Sequence, residues 1–574
     1  MTRQFGVHQV PALESVRPLG ELAERQKRVG QRLLREDVYR PELITSDITF
    51  DYDPAPWNDW YGGHEWTWYA DVSGRYLNAM VSLMPSLGEF PEIARQVLET
   101  VLANQAPDGH FGPPLAPNAC DRSQASGTAW MLLALPRVAQ LLGDERALHA
   151  AQRLAEWYKT VTPYWLSDDV LGKQRSKNSY ALIFSNFTHC LDGLAALQRI
   201  DPDDRWADLA REIAEAAKTL DDECHSHHFL STLRGMLDWY TLTGESAFLE
   251  KARGQCERIA VEGVLDTGGV PEDFSNPRTD EGCSEADWVL VNLKLHAITG
   301  ERAFLGRAER AIYGHFFMNQ CPNGGFGTWH GFHDALGAHG PGAVGRYKEA
   351  YWCCSMHGAY ALTEVARHVV TESEGRLNVN LLLGCRSSFD VAGGTVVISH
   401  DASEYPYPGR ARIVAELSSG ESVPLTVALP SHTPLVRATL DGADQAGRNS
   451  GELSVSLSGR GRHELVLDFA PSVRAESPQC SDVFPGRSSL WYGPLPLGSN
   501  AQLSRCVYDV TEALADGLEP IPCRRPGAWA SEMEFHLPAT DAPDFDHTRE
   551  RSYLTLYPLA AATFRQFSYL SYLF

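Results

Sequence analysis

The chain has 574 residues, which allows three or four domains of ordinary size and excludes a single small module. With 43 % apolar and only 21 % charged residues, disordered, coiled-coil and collagen-like readings fall away. The net charge of −23, uninterrupted by any Lys/Arg run, argues against a nucleic-acid partner, and no stretch approaches the roughly 18 consecutive apolar residues of a membrane span.

The first residues carry no apolar signal segment, so a soluble cytoplasmic protein without a membrane partner is expected. Twelve cysteines in such a length are too sparse for a disulfide framework. The aromatic stretch 57–68, with Trp57, Trp60, Trp66 and Trp68 among polar hydrogen-bonders, suits a sugar platform and equally a structural wrap. From about 85 to 370 the sequence reads as amphipathic helices joined by a recurring Gly-acidic phrase. The phrase occurs at Gly88-Glu89, Gly143-Asp144, Gly244-Glu245 and Gly300-Glu301, with a weaker copy near Asp201. In each, glycine can end one helix in a left-handed cap while the acidic residue opens the next. The spacing gives helical hairpins of somewhat over 50 residues, about six of which fit before residue 370. A closed α/α toroid of six hairpins is expected, with its chemistry on the long loops 264–283 and 321–352.

Several histidines are placed by position as pocket candidates. His189 heads one hairpin, His225, His227 and His228 precede the next, and His330, His333 and His339 lie in the second long loop. Capping or surface roles are the plain alternative for each. In Tyr351-Trp352-Cys353-Cys354-Ser355-Met356-His357-Gly358 the adjacent cysteines cannot close an unstrained disulfide with each other. Two buried thiols are one reading. Read beside Glu281-Gly282-Cys283, they complete one carboxylate and three thiolates, a tetrahedral Zn2+ set. Beyond about 373 short β-rich runs take over, arguing an antiparallel sandwich at 373–480, after a helical domain at 1–372. Residues 481–574 form a second β-rich unit, so the whole is an α+β multidomain chain.

The chain resembles the β-L-arabinofuranosidases of glycoside hydrolase family 127. The resemblance runs through Gly74-Arg75-Tyr76-Leu77-Asn78-Ala79, Gln105 to Phe111, the loop from Glu272 to Cys283, the Cys353-Cys354 pair, Leu377 to Leu381 and Tyr405 to Arg410. It implies an α/α barrel with β-sandwich domains, a carbohydrate or glycoconjugate substrate, and Zn2+ held by Glu281, Cys283, Cys353 and Cys354. It also implies that Cys353 is the nucleophile and Glu272, in Pro271-Glu272-Asp273-Phe274, the general acid/base of a retaining exo-glycosidase. The chain departs from the family at Ser355-Met356-His357-Gly358, and the residues that grip the sugar do not transfer. His189, His228, His330, His357 and Trp66 are therefore named as substrate contacts from position. A non-hydrolytic binder with a structural Zn2+ needs no Glu272, and a toroid epimerase or lyase needs no paired cysteines. A homodimer is a further expectation, resting on the appended sandwich.

Overall fold

The computed structural model describes residues 5–49, 68–116, 119, 121–168, 170, 186–220, 225–275, 279–330, 343–344, 348–401, 404–446, 448–449, 451–477, 488–500, 508–509, 521–523, 533–541, 552–563 and 570–571. Among the described residues twelve longer helices organise the first two thirds: α1 (Gly20–Leu33), α2 (Asp71–Leu87), α3 (Glu92–Asn104), α4 (Arg122–Leu142), α5 (Glu145–Trp165), α6 (Cys190–Ile200), α7 (Asp204–Ala216), α8 (Ser226–Thr243), α9 (Ser246–Glu262), α10 (Gly282–Thr299), α11 (Arg302–Ala311) and α12 (Cys354–Val369). The contacts α2–α4–α6–α8–α10–α12 return to α2, so these six close a ring. The others pack outside it, as α3 does on α2, α5 on α4 and α11 on α10. The inner helices are buried nearly all round: in α10 sixteen residues between Gly282 and Ile298 are covered. Outer α7 instead buries one stripe, Trp206, Leu209, Ala210 and Ile213, against the ring.

The Gly-acidic phrases sit at the tips joining inner to outer helices. Gly88, Gly143, Gly244 and Gly300 all cap their helices in the left-handed region, with φ of +85°, +68°, +73° and +73°. Asp144 and Asp203 cap the next helices through Arg146 N and Arg205 N at 2.9 and 2.8 Å. Glu245 and Glu301 hold the same N-cap position without a side-chain cap.

Residues 376–469 supply most of a seven-stranded and a five-stranded sheet. The burial alternates along Arg410–Leu417 and Glu452–Leu457, one face covered and one open. The expectation of antiparallel pairing meets one exception, since Val423–Ala428 runs parallel to Arg376–Val379. The chain has passed through three antiparallel strands of the other sheet and returns in the same direction. Val16–Pro18 pairs with Cys385–Ser387, so the N-terminal segment extends the larger sheet. A third sheet gathers Val473–Glu476, Ser489–Tyr492, Leu495–Asn500 and later strands. Among the described residues no helix is long and apolar enough to cross a membrane.

Candidate active site

One end of the ring gathers the N-terminal turns of the inner helices, because the short Gly tips occupy the other end. Arg75 comes from α2, Ser126 from α4, His189 from the turn before α6, His227 and His228 from α8, Cys283 from α10 and Cys354 from α12. The partial positive charge of each helix N-terminus favours negative charge there. The two long loops are joined by a three-stranded sheet, in which Thr279–Glu281 pairs with Gly327–His330 and that strand with Lys348–Glu349. Glu349 is held by a two-pronged ion pair from Arg32 (2.7–3.0 Å) and accepts a bond from Ser355 Oγ (3.1 Å), which also takes Phe326 N (3.0 Å). Ser355 thus ties the turn after the cysteine pair to the sheet that carries Glu281.

The four sequence-predicted ligands come together although Cys353 lies 72 residues from Glu281. Cys353 Sγ and Cys354 Sγ lie 3.6 and 3.8 Å from Glu281 Oε1, 3.4 Å from each other, and Cys354 Sγ is 3.6 Å from Cys283 Sγ. With Zn–S near 2.3 Å and Zn–O near 2.1 Å, tetrahedral edges would be about 3.8 Å between sulfurs and about 3.6 Å from sulfur to oxygen. The quartet is buried, all its ligand atoms lying within 4.8 Å of one another.

Its electrostatics favour a dication. Burial raises the Cys283 and Cys354 thiols, and burial with the neighbouring Cys353 and Glu272 raises Glu281. Burial also pushes the Cys353 thiol up, but hydrogen bonds from Cys283 and Cys354, with Arg75 nearby, outweigh it and hold Cys353 well below the ordinary thiol range. One carboxylate and three thiols buried around one guanidinium are a donor set that suits Zn2+.

Glu272 stands beside this quartet. Its backbone is fixed by Thr279 O (2.9 Å) and by Ser226, whose N–H and Oγ both donate to its carbonyl at 2.8 Å. A carboxylate oxygen of Glu272, a ring nitrogen of His225 and a carboxylate oxygen of Glu281 lie within 4.8 Å of one another. Burial, then the charges of Asp273, Asp280 and Cys353, push Glu272 up to about 7. Behind the loop, His315 on the π-helical turn Ile312–Phe316 bonds Asp280 Oδ2 (2.6 Å) and Thr267 Oγ1 (2.6 Å), and Asn319 Nδ2 donates to the same Asp280 oxygen (3.1 Å). Asp280 is thereby locked next to Glu281.

Arg75 links the quartet to the ring. It donates to Cys283 Sγ (3.7 Å), His227 Nε2 (3.0 Å) and Asp71 Oδ1 (3.0 Å), and its guanidinium lies 4.0 Å over Trp130. Since Nε2 of His227 accepts, Nδ1 carries the proton and donates to Asp287 Oδ2 at 2.6 Å. Asp287 also receives His357 Nε2 (2.7 Å), Ser231 Oγ (2.8 Å) and Arg234, which in turn pairs with Asp192. Sequence reasoning missed Arg75, Trp130 and Arg234 as site residues. Their signal was charge inside otherwise apolar helices, Asp71 and Arg75 in α2 being four residues apart.

Of the residues placed by position, His189 and His228 are buried side by side at the N-terminal ends of α6 and α8, with ring centroids 5.1 Å apart. His189 Nε2, His228 Nδ1 and both polar atoms of Asn186 are buried without a hydrogen-bond partner among the described residues. Asn186 and His189 are three apart on one helical turn and so share a side. His357 turns its Nε2 to Asp287. Trp66, His333 and His339 lie outside the described residues, and of His330 only the backbone, paired with Thr279, is described.

The architecture is a helical ring with a buried Glu/Cys site at one end, and comparison with known proteins gives its class and family. A model described as β-L-arabinofuranosidase, GH127 catalytic domain, matches residues 49–367. The chain belongs to that family and is a glycoside hydrolase, acting on a carbohydrate substrate. A solved GH127 β-arabinofuranosidase shares the fold at a TM-score of 0.76 and 13 % identity, covering 100 % of this chain and 98 % of its own. A GH127 β-L-arabinofuranosidase from Geobacillus stearothermophilus T6 does so at 0.71 and 12 %, covering 97 % and 99 %. No curated protein sequence matches.

Proposed function

We propose that the enzyme is a retaining exo-glycosidase of β-L-arabinofuranosides or a related L-sugar, with Cys353 as nucleophile and Glu272 as general acid/base. The observation that carries this reading is the buried Glu281, Cys283, Cys353 and Cys354 quartet with the raised carboxyl of Glu272 beside it. These four residues would hold Zn2+, which supplies the positive charge that keeps buried thiols as thiolates. In the first step the Cys353 thiolate forms a bond to the anomeric carbon while the bond to the leaving oxygen breaks. The Glu272 carboxylic acid gives that oxygen its proton. In the second step the Glu272 carboxylate takes a proton from water, whose oxygen attacks the same carbon and releases the Cys353 thiolate. Two inversions retain the configuration.

Asn186, His189 and His228 offer unpartnered polar atoms where a sugar's hydroxyls would sit, and buried polar atoms of this kind reject a ligand that cannot pair with them. His330, His357 and Trp66 are kept as further contacts or supports. A structural metal site alone would not need Glu272 at this place. We read residues 1–372 as the α/α-toroid catalytic domain, 373–480 as a β-sandwich and 481–574 as a second β-rich unit. Three reduced thiols as ligands suit a reducing compartment, and we assign the enzyme to the cytoplasm.

The test is release of p-nitrophenol from a panel of aryl glycosides led by the β-L-arabinofuranoside. Wild type should turn over one of them, and Cys353→Ser should lose that activity. A protein that retains bound Zn2+ yet hydrolyses no glycoside on the panel would refute the assignment.

A further inference from the structure

Apart from the ring's catalytic end, a cavity of about 760 Å³ lies between outer helix α11, the loop 428–435 and Trp491. Four arginines and one carboxylate line it: Arg302, Arg307, Arg310, Arg474 and Glu309. In a chain of net charge −23 this is a local reversal of sign. Three of the guanidiniums are incompletely paired. Arg302 donates Nη2 to Leu429 O (2.7 Å), Arg307 donates Nη2 to Glu257 Oε2 (2.6 Å), and Arg474 donates Nε to Glu476 Oε1 (2.9 Å) and Nη1 to Gly493 O. Arg302 Nη1, Arg307 Nη1 and Arg474 Nη2 are buried with no hydrogen-bond partner among the described residues. Buried cationic donors left unpaired are costly, and a structure that keeps three of them at one cavity is built to receive an acceptor.

The pairing elsewhere does not remove the excess. Arg310 and Arg474 share Glu476, at 2.8 and 2.9 Å, and Arg307 pairs with Glu257 at 2.6 Å. Glu309 lies under the influence of both Arg302 and Arg474 but forms no ion pair with either among the described residues. Burial pushes its carboxyl up to about 7, with the two arginines opposing, so near neutral pH it serves for part of the time as a donor. The volume falls in the range of small-molecule sites and far exceeds a bare inorganic anion. Ser431, His432 and Asn380 add hydrogen-bonding groups along the wall.

We propose that this cavity binds an anionic, sugar-sized small molecule, whose carboxylate or phosphate group is held by Arg302 and Arg474. A planar guanidinium pairs with either group through two parallel bonds. The inference stands apart from the catalytic assignment, since none of these residues touches the cysteine quartet.

Titration calorimetry of the full chain with glucuronate, glucose 6-phosphate and glucose tests it. The carboxylate or the phosphate sugar should bind, the stronger of the two naming the anion, while neutral glucose gives no heat. Arg302→Gln and Arg474→Gln should each weaken binding about tenfold or more, the loss of one charged hydrogen bond. Gly306→Asp serves where an arginine variant fails to fold: a Cβ at Gly306 meets nothing within 4 Å, and the added carboxylate repels an anion from the cavity wall. All three variants should keep wild-type glycosidase rates. No binding of either anion at millimolar concentration, equal binding of glucose, or affinity unchanged in the variants would overturn the proposal.

Discussion

Arg75 touches four groups at once: Asp71, His227, Cys283 and the face of Trp130. Its side chain is only 5 % exposed, so each partner depends on it for charge or donor. Breaking a buried ion pair from one side costs about 3–5 kcal/mol, because the other charge stays buried. Arg75→Met should therefore lower the thermal midpoint strongly and slow turnover. Arg75→Lys, which keeps the charge but cannot fork between Asp71 and His227, should restore much of the midpoint and little of kcat/KM. Thermal unfolding beside steady-state kinetics checks this, and a Met variant as stable and active as wild type would remove Arg75 from the account. The buried Glu281, Cys283, Cys353 and Cys354 quartet was legible in the sequence because Glu-x-Cys and Cys-Cys are compact, chemically unusual strings. The Arg75, His227 and Asp287 chain was not. Its links span 152 and 60 residues, and such pairing leaves no periodic trace in any one helix.

The inner helices approach one another through glycines. A Cβ on Gly193 would lie 2.7 Å from Leu132 C on the neighbouring helix, and one on Gly235 would lie 2.6 Å from Asp192 N. Both obstacles are backbone, which cannot swing aside. Gly235→Ala should destabilise by about 1–3 kcal/mol through forced separation of α6 and α8. Gly254, on outer α9, has nothing within 4 Å of its Cβ position, so Gly254→Ala should stabilise by about 0.4–1 kcal/mol. Denaturant midpoints of the two variants, measured side by side, decide the matter; equal shifts would contradict this helix packing. The helix tips were readable from sequence because a left-handed glycine followed by a capping acid is decided within a few residues. The parallel pairing of Val423–Ala428 was not, since strand direction depends on the route the chain takes between sheets.

At the scale of the whole molecule, the closed ring and the loop sheet converge on the quartet of Glu281, Cys283, Cys353 and Cys354. Glu281 and Cys283 flank Gly282 where a strand runs into α10, and Cys353 and Cys354 stand at the start of α12, so a bound ion would staple two segments 72 residues apart. Chelation should therefore abolish hydrolysis and lower the thermal midpoint together, both returning with Zn2+. Activity lost with an unchanged midpoint would limit the metal to chemistry. Loss of neither would remove it.

The most direct measurement of the central claim is the covalent one. A Glu272→Gln variant incubated with a 2,4-dinitrophenyl β-L-arabinofuranoside has a leaving group that needs no acid and lacks the base that clears the enzyme. Peptide mass spectrometry should then find one anhydropentose on the peptide carrying Cys353, and none in the Cys353→Ser, Glu272→Gln double variant. An adduct on a carboxylate, or dinitrophenol released by the double variant at the rate of the single one, would contradict the thiolate mechanism.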